Sequence, residues 1–381
     1  MTISLKLEVS HSMSYNEEIR GVFRILLVPE KVSLAKGFHY VVLIDNSGSM
    51  KGLKIEIAKR SAKELLSRIP KNNKVSLISF STEVKRLIEC QNLSDVKYDL
   101  IDTLKADGPT PLYHALIEAN EISEMCGLPG FYILLTDGEP TDETSLEAYQ
   151  KLKLPTNIQI YSFGVGDEYR EDILKLLADK SGGIYYHIND PKEIEDKMPK
   201  AAVTEVAAKN LEVDILSSSK LKILNYPGPP IKLGAVESTV RILGEVIIPP
   251  KFNGNLIKVM IKYYDPVMED ERKLEESVNI SYTQDLVTFL SNINKDLIYE
   301  YNYYELLIKY AEQVQLQNLV EATKTLKKLE EISEFTRRID LIETTRRMQS
   351  IIETTRRIGL PEQTRRISKE VISEVTRRLR E

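Results

Sequence analysis

Between residues 38 and 200, short apolar runs alternate with stretches of helical period, and this alternation constrains the fold more than any other feature of the chain. HYVVLID, VSLISFS, FYILLTD, IQIYSFGVG and IYYHI read as strands, and EVKRLIE as a strand at an edge. Between them, GLKIEIAKRSAKELLSRI, a segment over 94–105, a stretch opening near Leu112, TSLEAYQKLK, EDILKLLADK and PKEIEDKMPKAA read as helices. Strands that are apolar throughout are buried on both faces, and parallel neighbours need a crossover of helical length. The pattern therefore predicts an α/β domain over 36–204, a doubly wound parallel sheet with helices on both faces.

The flanks follow a different period. SLKLEVSHS and RGVFRILLVP near the N-terminus, and five runs between 209 and 283, alternate with period two and carry no helical pattern. A piece of about 30 residues does not bury its own apolar face. Residues 1–35 and 205–284 are therefore expected to build one β-sandwich with the α/β domain inserted between them. Residues 285–332 return to helical period and predict a helical hairpin. The tyrosines there (Tyr299, Tyr301, Tyr303, Tyr304 and Tyr310) are assigned to packing rather than to a binding surface.

Charge is divided unevenly along the 381 residues. Segment 333–381 is +4, against −5 for the whole chain, so the body before it is −9. An acidic body argues against nucleic-acid binding on bulk electrostatics. Cys90 and Cys126 are expected to be buried small hydrophobes rather than a disulfide. No charged-then-apolar leader opens the sequence and no apolar run approaches membrane length, so a cytoplasmic location with no membrane contact is expected.

Asp45-Asn46-Ser47-Gly48-Ser49 stands at the end of the first α/β strand, where doubly wound sheets gather ligands. Thr110, in DGPTPLYHAL, and Asp137, ending FYILLTD, belong to two further loops. Two carboxylates and three hydroxyls form a hard, all-oxygen donor set suited to Mg²⁺ or Mn²⁺ and not to Zn²⁺. These residues and the strand–helix order around them resemble the von Willebrand factor A domain with its metal-ion-dependent adhesion site. The resemblance implies that Asp45, Ser47, Ser49, Thr110 and Asp137 hold the ion, directly or through water. It also implies an open position for a partner's carboxylate; the plainer alternative is an ion that only braces three loops. Asp142 and Glu139 are weaker candidates for supporting roles. No phosphate-binding glycine loop, histidine cluster or nucleophile–base pair accompanies the site, so no catalytic residue is assigned and no enzyme is expected.

The C-terminal segment repeats one phrase, Glu-x-Thr-Arg-Arg-apolar, five times, around Thr336, Thr345, Thr355, Thr364 and Thr376. The threonines are spaced by 9, 10, 9 and 12 residues, whereas stacked structural repeats keep a fixed period. Residues 333–381 are therefore read as a flexible phospho-acceptor tail. A phosphate adds about −1.5 to −2 charges per site, so five would reverse the segment's sign. Phosphothreonine readers of the forkhead-associated class test the third residue after the threonine. Here that residue is Ile339, Met348, Ile358, Ile367 or Leu379. A basic nucleic-acid tail is disfavoured by the glutamate in every phrase and the near-absence of aromatics. An amphipathic helix packed on the body is the competing reading, because Ile339/Ile342 and Ile367/Val371/Val375 have helical spacing.

Taken whole, the chain resembles the archaeal A-domain regulators that partner a forkhead-associated protein, and its body more loosely resembles inner-coat proteins of eukaryotic secretory vesicles. The regulator resemblance implies tail phosphorylation by Ser/Thr protein kinases, reversal by a phosphatase, reading by the forkhead-associated partner, and repression of archaellum (motility) genes. The alternative is an A-domain accessory subunit of an ATP-driven remodelling or chelatase complex.

Overall fold

The computed structural model describes residues 2–155, 157–358 and 361–380; side chains at 352, 354–358 and 361–365 lie outside the described set. Its α/β unit carries a six-stranded sheet. In spatial order the strands are Tyr185–Ile188, Ile158–Val165, Gly130–Thr136, His39–Asp45, Lys74–Phe80 and Val84–Asn92. The first five are parallel, and Val84–Asn92 runs antiparallel at the edge. Strand alternation sorts the core: Tyr40, Val42 and Ile44 face helix Leu53–Arg68, while Val41 and Leu43 face helices Leu112–Cys126 and Glu171–Ser181. From His39–Asp45 the chain crosses one face to reach Lys74–Phe80, while Gly130–Thr136 arrives from the other. Asp45 thus ends its strand at the topological switch point.

The flanking strands pair with one another. One sheet orders Ile3–Val9, Ile19–Pro29, Val240–Ile248 and Leu221–Ile223. The other orders Ile231–Val236, Ala208–Ser217, Gly254–Asp265, Asp270–Tyr282 and Met13–Ser14. Phe23, Ile25 and Ile242 from the first sheet meet Leu211, Val213 and Val259 from the second in one apolar cluster. A two-stranded ribbon, Ser33–Leu34 against Glu205–Val206, stitches together the chain's entry to and exit from the α/β unit. We propose residues 36–204 as the inserted unit on that account.

Three expectations need correction. The segment 94–105 holds only a 3-10 turn, Leu93–Asp95, and a single helical turn, Asp99–Asp102; Leu93, Ile101 and Leu104 anchor it as separate buried points rather than as a helical stripe. Cys90 and Cys126 form a disulfide. The fold lays the edge strand beside the C-terminal end of helix Leu112–Cys126, which brings the two Cα atoms to 5.9 Å across 36 residues of sequence.

The third correction concerns the tail. After helices Leu286–Ser291, Lys295–Gln315 and Leu319–Thr336, residues Ile339–Ile358 and Pro361–Arg380 form two more helices docked on the body. Arg337 ends the preceding helix in the left-handed region, at φ 55°. Leu341, Met348, Ile351, Ile367, Val371, Ile372 and Val375 bury one face in the same cluster as Tyr301, Tyr303, Tyr304 and Tyr310. A buried apolar stripe of that size outweighs the freedom of a charged linker. The last helix also caps the sheet edge, since Ser373 Oγ accepts the His187 N–H (3.0 Å) and donates to the Tyr185 carbonyl (3.2 Å). Among the described residues no helix is long and apolar enough to cross a membrane.

Candidate functional site

The five oxygen-bearing residues expected at the switch point come together. Asp45 is fully buried; its Oδ1 accepts the Ser47 N–H at 2.8 Å and its Oδ2 accepts the Thr136 hydroxyl at 2.5 Å. Ser47 Oγ lies 2.9 Å from Ser49 Oγ, and Ser49 donates to Asp137 Oδ1 at 2.6 Å. Thr110 is fixed by a reciprocal clamp: its N–H donates to Thr141 Oγ1 and its carbonyl accepts the Thr141 N–H, both at 3.0 Å. A Cβ on Gly138 would meet Thr110 Oγ1 at 3.1 Å and Ser49 Oγ at 3.3 Å, so the hydroxyls converge on a space that only glycine leaves open. Gly108 holds the neighbouring loop with φ 76°, where a side chain would strike Thr82, and its carbonyl accepts the Gly48 N–H at 2.9 Å.

Desolvation pushes the Asp45 carboxyl up to about 6, and the charge of Asp137 adds to that effect, while hydrogen bonds from Ser47 and Thr136 oppose it. The Lys54 ammonium reaches in from a half-exposed position to pair with Asp137. Two buried carboxylates, three hydroxyls, one ammonium and an opening at the exposed Ser49 make a donor set that fits a hard divalent cation. Thr136, Lys54 and Thr141 escaped the sequence reading, although Thr136 and Thr141 both sit in the TDGEPTD segment. Asp142 instead accepts the backbone N–H groups of Tyr113 and His114 at the start of helix Leu112–Cys126.

The phosphorylation candidates fare differently. Thr336 is half-buried, with its hydroxyl donating to the Ile332 carbonyl at 2.9 Å. Thr345 is buried; its hydroxyl donates to the Leu341 carbonyl at 2.9 Å and lies 2.9 Å from the Tyr303 hydroxyl. Thr376 is also buried and donates to the Ile372 carbonyl at 2.8 Å. Thr355 and Thr364 lie outside the described side chains. Several arginines of the phrases have partners in the docked state. Arg338 reaches the buried Glu300 (3.1 Å) and Asp340 (2.7 Å). Arg347, Arg377 and Arg378 surround the buried Glu374 at 3.1, 2.8 and 3.0 Å. Glu300 also pairs with Arg24 and, at 3.5 Å, with Arg241, so it ties the helical hairpin to the sandwich.

The von Willebrand factor type A domain model matches residues 41–200, and the model of the archaellum regulatory network B (ArnB) C-terminal domain matches residues 295–381. The crystal structure of the ArnB paralog VWA2 from Sulfolobus acidocaldarius is 30% identical, with a TM-score of 0.86, and the match covers 100% of this chain and 98% of that one. This chain belongs to the ArnB-like family of archaeal A-domain proteins. A von Willebrand factor type A protein from Catenulispora acidiphila shares the fold at 17% identity, with a TM-score of 0.71 over 91% of this chain and 89% of its own. Inter-alpha-trypsin inhibitor heavy chain H2 of Mus musculus is 27% identical over 51% of this chain, which spans 24% of that relative. An uncharacterized Synechocystis protein is 29% identical over 40% of this chain and 38% of its own length. The chain thus spans well under half the length of these curated relatives. ArnB-like membership sets it in archaellum regulation, with a role exercised through protein interaction.

Proposed function

We propose that this ArnB-like chain is a non-enzymatic, phosphorylation-dependent scaffold that acts in the cytoplasm and represses archaellum gene expression. Ser/Thr protein kinases and a phosphatase set the state of Thr336, Thr345, Thr355, Thr364 and Thr376, and an ArnA-like forkhead-associated protein reads it. The observation that carries this reading is the fivefold Glu-x-Thr-Arg-Arg-apolar phrase inside a segment matched to the ArnB C-terminal domain. In the docked state Thr345 and Thr376 are out of a kinase's reach, so their modification requires the last two helices to leave the body. Arg338, released from Glu300, then lies beside the phosphate on Thr336. Five sites on one tether raise avidity through effective concentration.

The test is calorimetric binding of the kinase-treated full chain to the forkhead-associated protein. The five-fold Thr→Ala variant is expected to lose binding by about 100-fold or more, since most of the affinity rests on charge-assisted phosphate contacts. Binding by the variant, or by the unphosphorylated protein, as tight as that of the kinase-treated chain would sink the reading. The accessory-subunit alternative is favoured only by the metal-type cluster; under it Asp45→Ala, not the threonine variant, abolishes partner binding.

Asp45, Ser47, Ser49, Thr110 and Asp137 would hold Mg²⁺ or Mn²⁺, which links three loops and offers a partner's carboxylate an anchor. Ionised Asp45 binds the cation and its protonated form does not. Because burial raises this carboxyl to about 6, apparent Mn²⁺ affinity is expected to hold above that pH and to fall by up to about tenfold per pH unit below it. Titration calorimetry between pH 5 and 8 checks this, and a flat profile would exclude Asp45 as a ligand.

A further inference from the structure

A second cluster of metal-ligating side chains lies at the opposite end of the central strand from Asp45. His39 opens that strand, Cys90 lies on the antiparallel edge strand and Cys126 closes helix Leu112–Cys126. One ligand atom from each lies within 4.8 Å of the other two. Several features build this site beyond what a disulfide needs. His39 is fully buried; its Nε2 lies 2.7 Å from Ser76 Oγ, and its Nδ1 has no hydrogen-bond partner. An unpartnered buried ring nitrogen is costly, and a disulfide gives nothing back for it. The same Ser76 Oγ accepts the Cys90 N–H at 2.8 Å, so one hydroxyl orients both the imidazole and the cysteine backbone. Cys90 adopts φ 43°, unusual for a side-chain-bearing residue, and sits where the pairing of Lys74–Phe80 with Val84–Asn92 shifts register. Such an irregularity re-aims a side chain.

We propose that, when Cys90 and Cys126 are reduced, they and His39 bind one Zn²⁺, and that the disulfide is the oxidised, metal-free form of the same site. Two thiolates and an imidazole make a borderline-soft donor set, unlike the hard oxygen cluster at Asp45, and leave a fourth position for water. In the reducing step a phosphine takes up oxygen from water, and its two electrons and the two protons of that water break the S–S bond to give two thiols. Zinc then displaces the two thiol protons as two Zn–S bonds form. The disulfide sulfurs have no thiolate charge to offer, so metal and disulfide exclude one another.

The experiment uses the full chain, reduced anaerobically with a phosphine and kept in excess Mg²⁺ to saturate hard oxygen sites. Zinc titration is expected to show one equivalent bound by the reduced protein and none by the disulfide form. Co²⁺ in place of Zn²⁺ is expected to give thiolate-to-cobalt charge-transfer absorption. Cys126→Ser, a near-isosteric change, should weaken zinc binding by about 100-fold or more through loss of one metal–thiolate bond. His39→Gln should weaken it while keeping the charge-transfer band. A reduced protein that binds no zinc, a cobalt complex without that band, or undiminished binding by Cys126→Ser would each overturn the assignment. None of these readouts depends on tail phosphorylation or on the partner.

Discussion

Replacing Glu300 with alanine is expected to destabilise the folded chain by about 3 kcal/mol, the low end of the 3–5 kcal/mol seen when one partner is removed from a buried ion cluster. Glu300 is 2% exposed and gathers Arg24 and Arg241 from the sandwich with Arg338 from the first Thr-Arg-Arg phrase. Its removal leaves three guanidiniums facing one another in a poorly solvated cleft. The low end applies because Arg24 keeps Glu8, Arg338 keeps Asp340, and the arginines are partly solvated, which screens the repulsion. For a chain of this size the loss corresponds to a fall of roughly 4 °C in Tm. Thermal unfolding followed by circular dichroism measures it. Hydrogen exchange should locate the loosening in segments 295–315 and 339–358 and in the strand Ile19–Pro29. A change below about 1 kcal/mol would mean that water already screens the cluster and that apolar packing alone holds the hairpin on the sandwich.

The cluster also shows where sequence reading stops. That Asp45, Ser47 and Ser49 share a site is legible, because three alternate residues after a buried strand converge by local geometry alone. Thr110 and Asp137 are legible only through the shape of their loops and the family resemblance. Lys54 is not legible, because a lysine in the first turn of a helix has no sequence mark that it reaches Asp137. Glu300 reads as one acid in a tyrosine-rich helix; its role depends on Arg24 and Arg241, brought beside it by the strand pairing of residues more than 200 apart. The tail shows the same limit. Ile367, Val371 and Val375 carry helical spacing in the sequence, yet what makes them dock is a receiving surface of Tyr185–Ile188 and Lys295–Gln315 that no local window contains. The Cys90–Cys126 bridge was missed because its partners come from a strand and a helix end with no local relation.

Placing negative charge at Thr345 is expected to release the last two helices. The Thr345 hydroxyl sits against the Leu341 carbonyl and the Tyr303 hydroxyl, is 2% exposed, and has no described cation within hydrogen-bond reach. A phosphate there would bury close to two charges where Arg378 and Asp340, felt with opposite sign at the Tyr303 hydroxyl, offset one another, and its desolvation costs several kcal/mol even after relaxation. About 5.5 kcal/mol takes a two-state equilibrium from 99:1 to 1:99, so one phosphate inverts docking where the docked state leads by no more than about 100:1. Thr345→Glu, with one charge and a longer stem, should act in the same direction and more weakly. Thr336→Glu is the control: that hydroxyl is half-buried, and the added charge can turn toward solvent. Hydrogen exchange should show the amides of 339–380 losing protection in Thr345→Glu and keeping it in Thr336→Glu, with the α/β sheet unchanged in both. The displaced segment would free Arg338 from Glu300 on the body and expose it, with Arg347, Arg377 and Arg378, to any phosphothreonine reader. Full protection of 339–380 in both Thr345→Glu and the kinase-treated protein would show that the docked helices accommodate the charge, and modification would then have to act on the folded surface around Thr336.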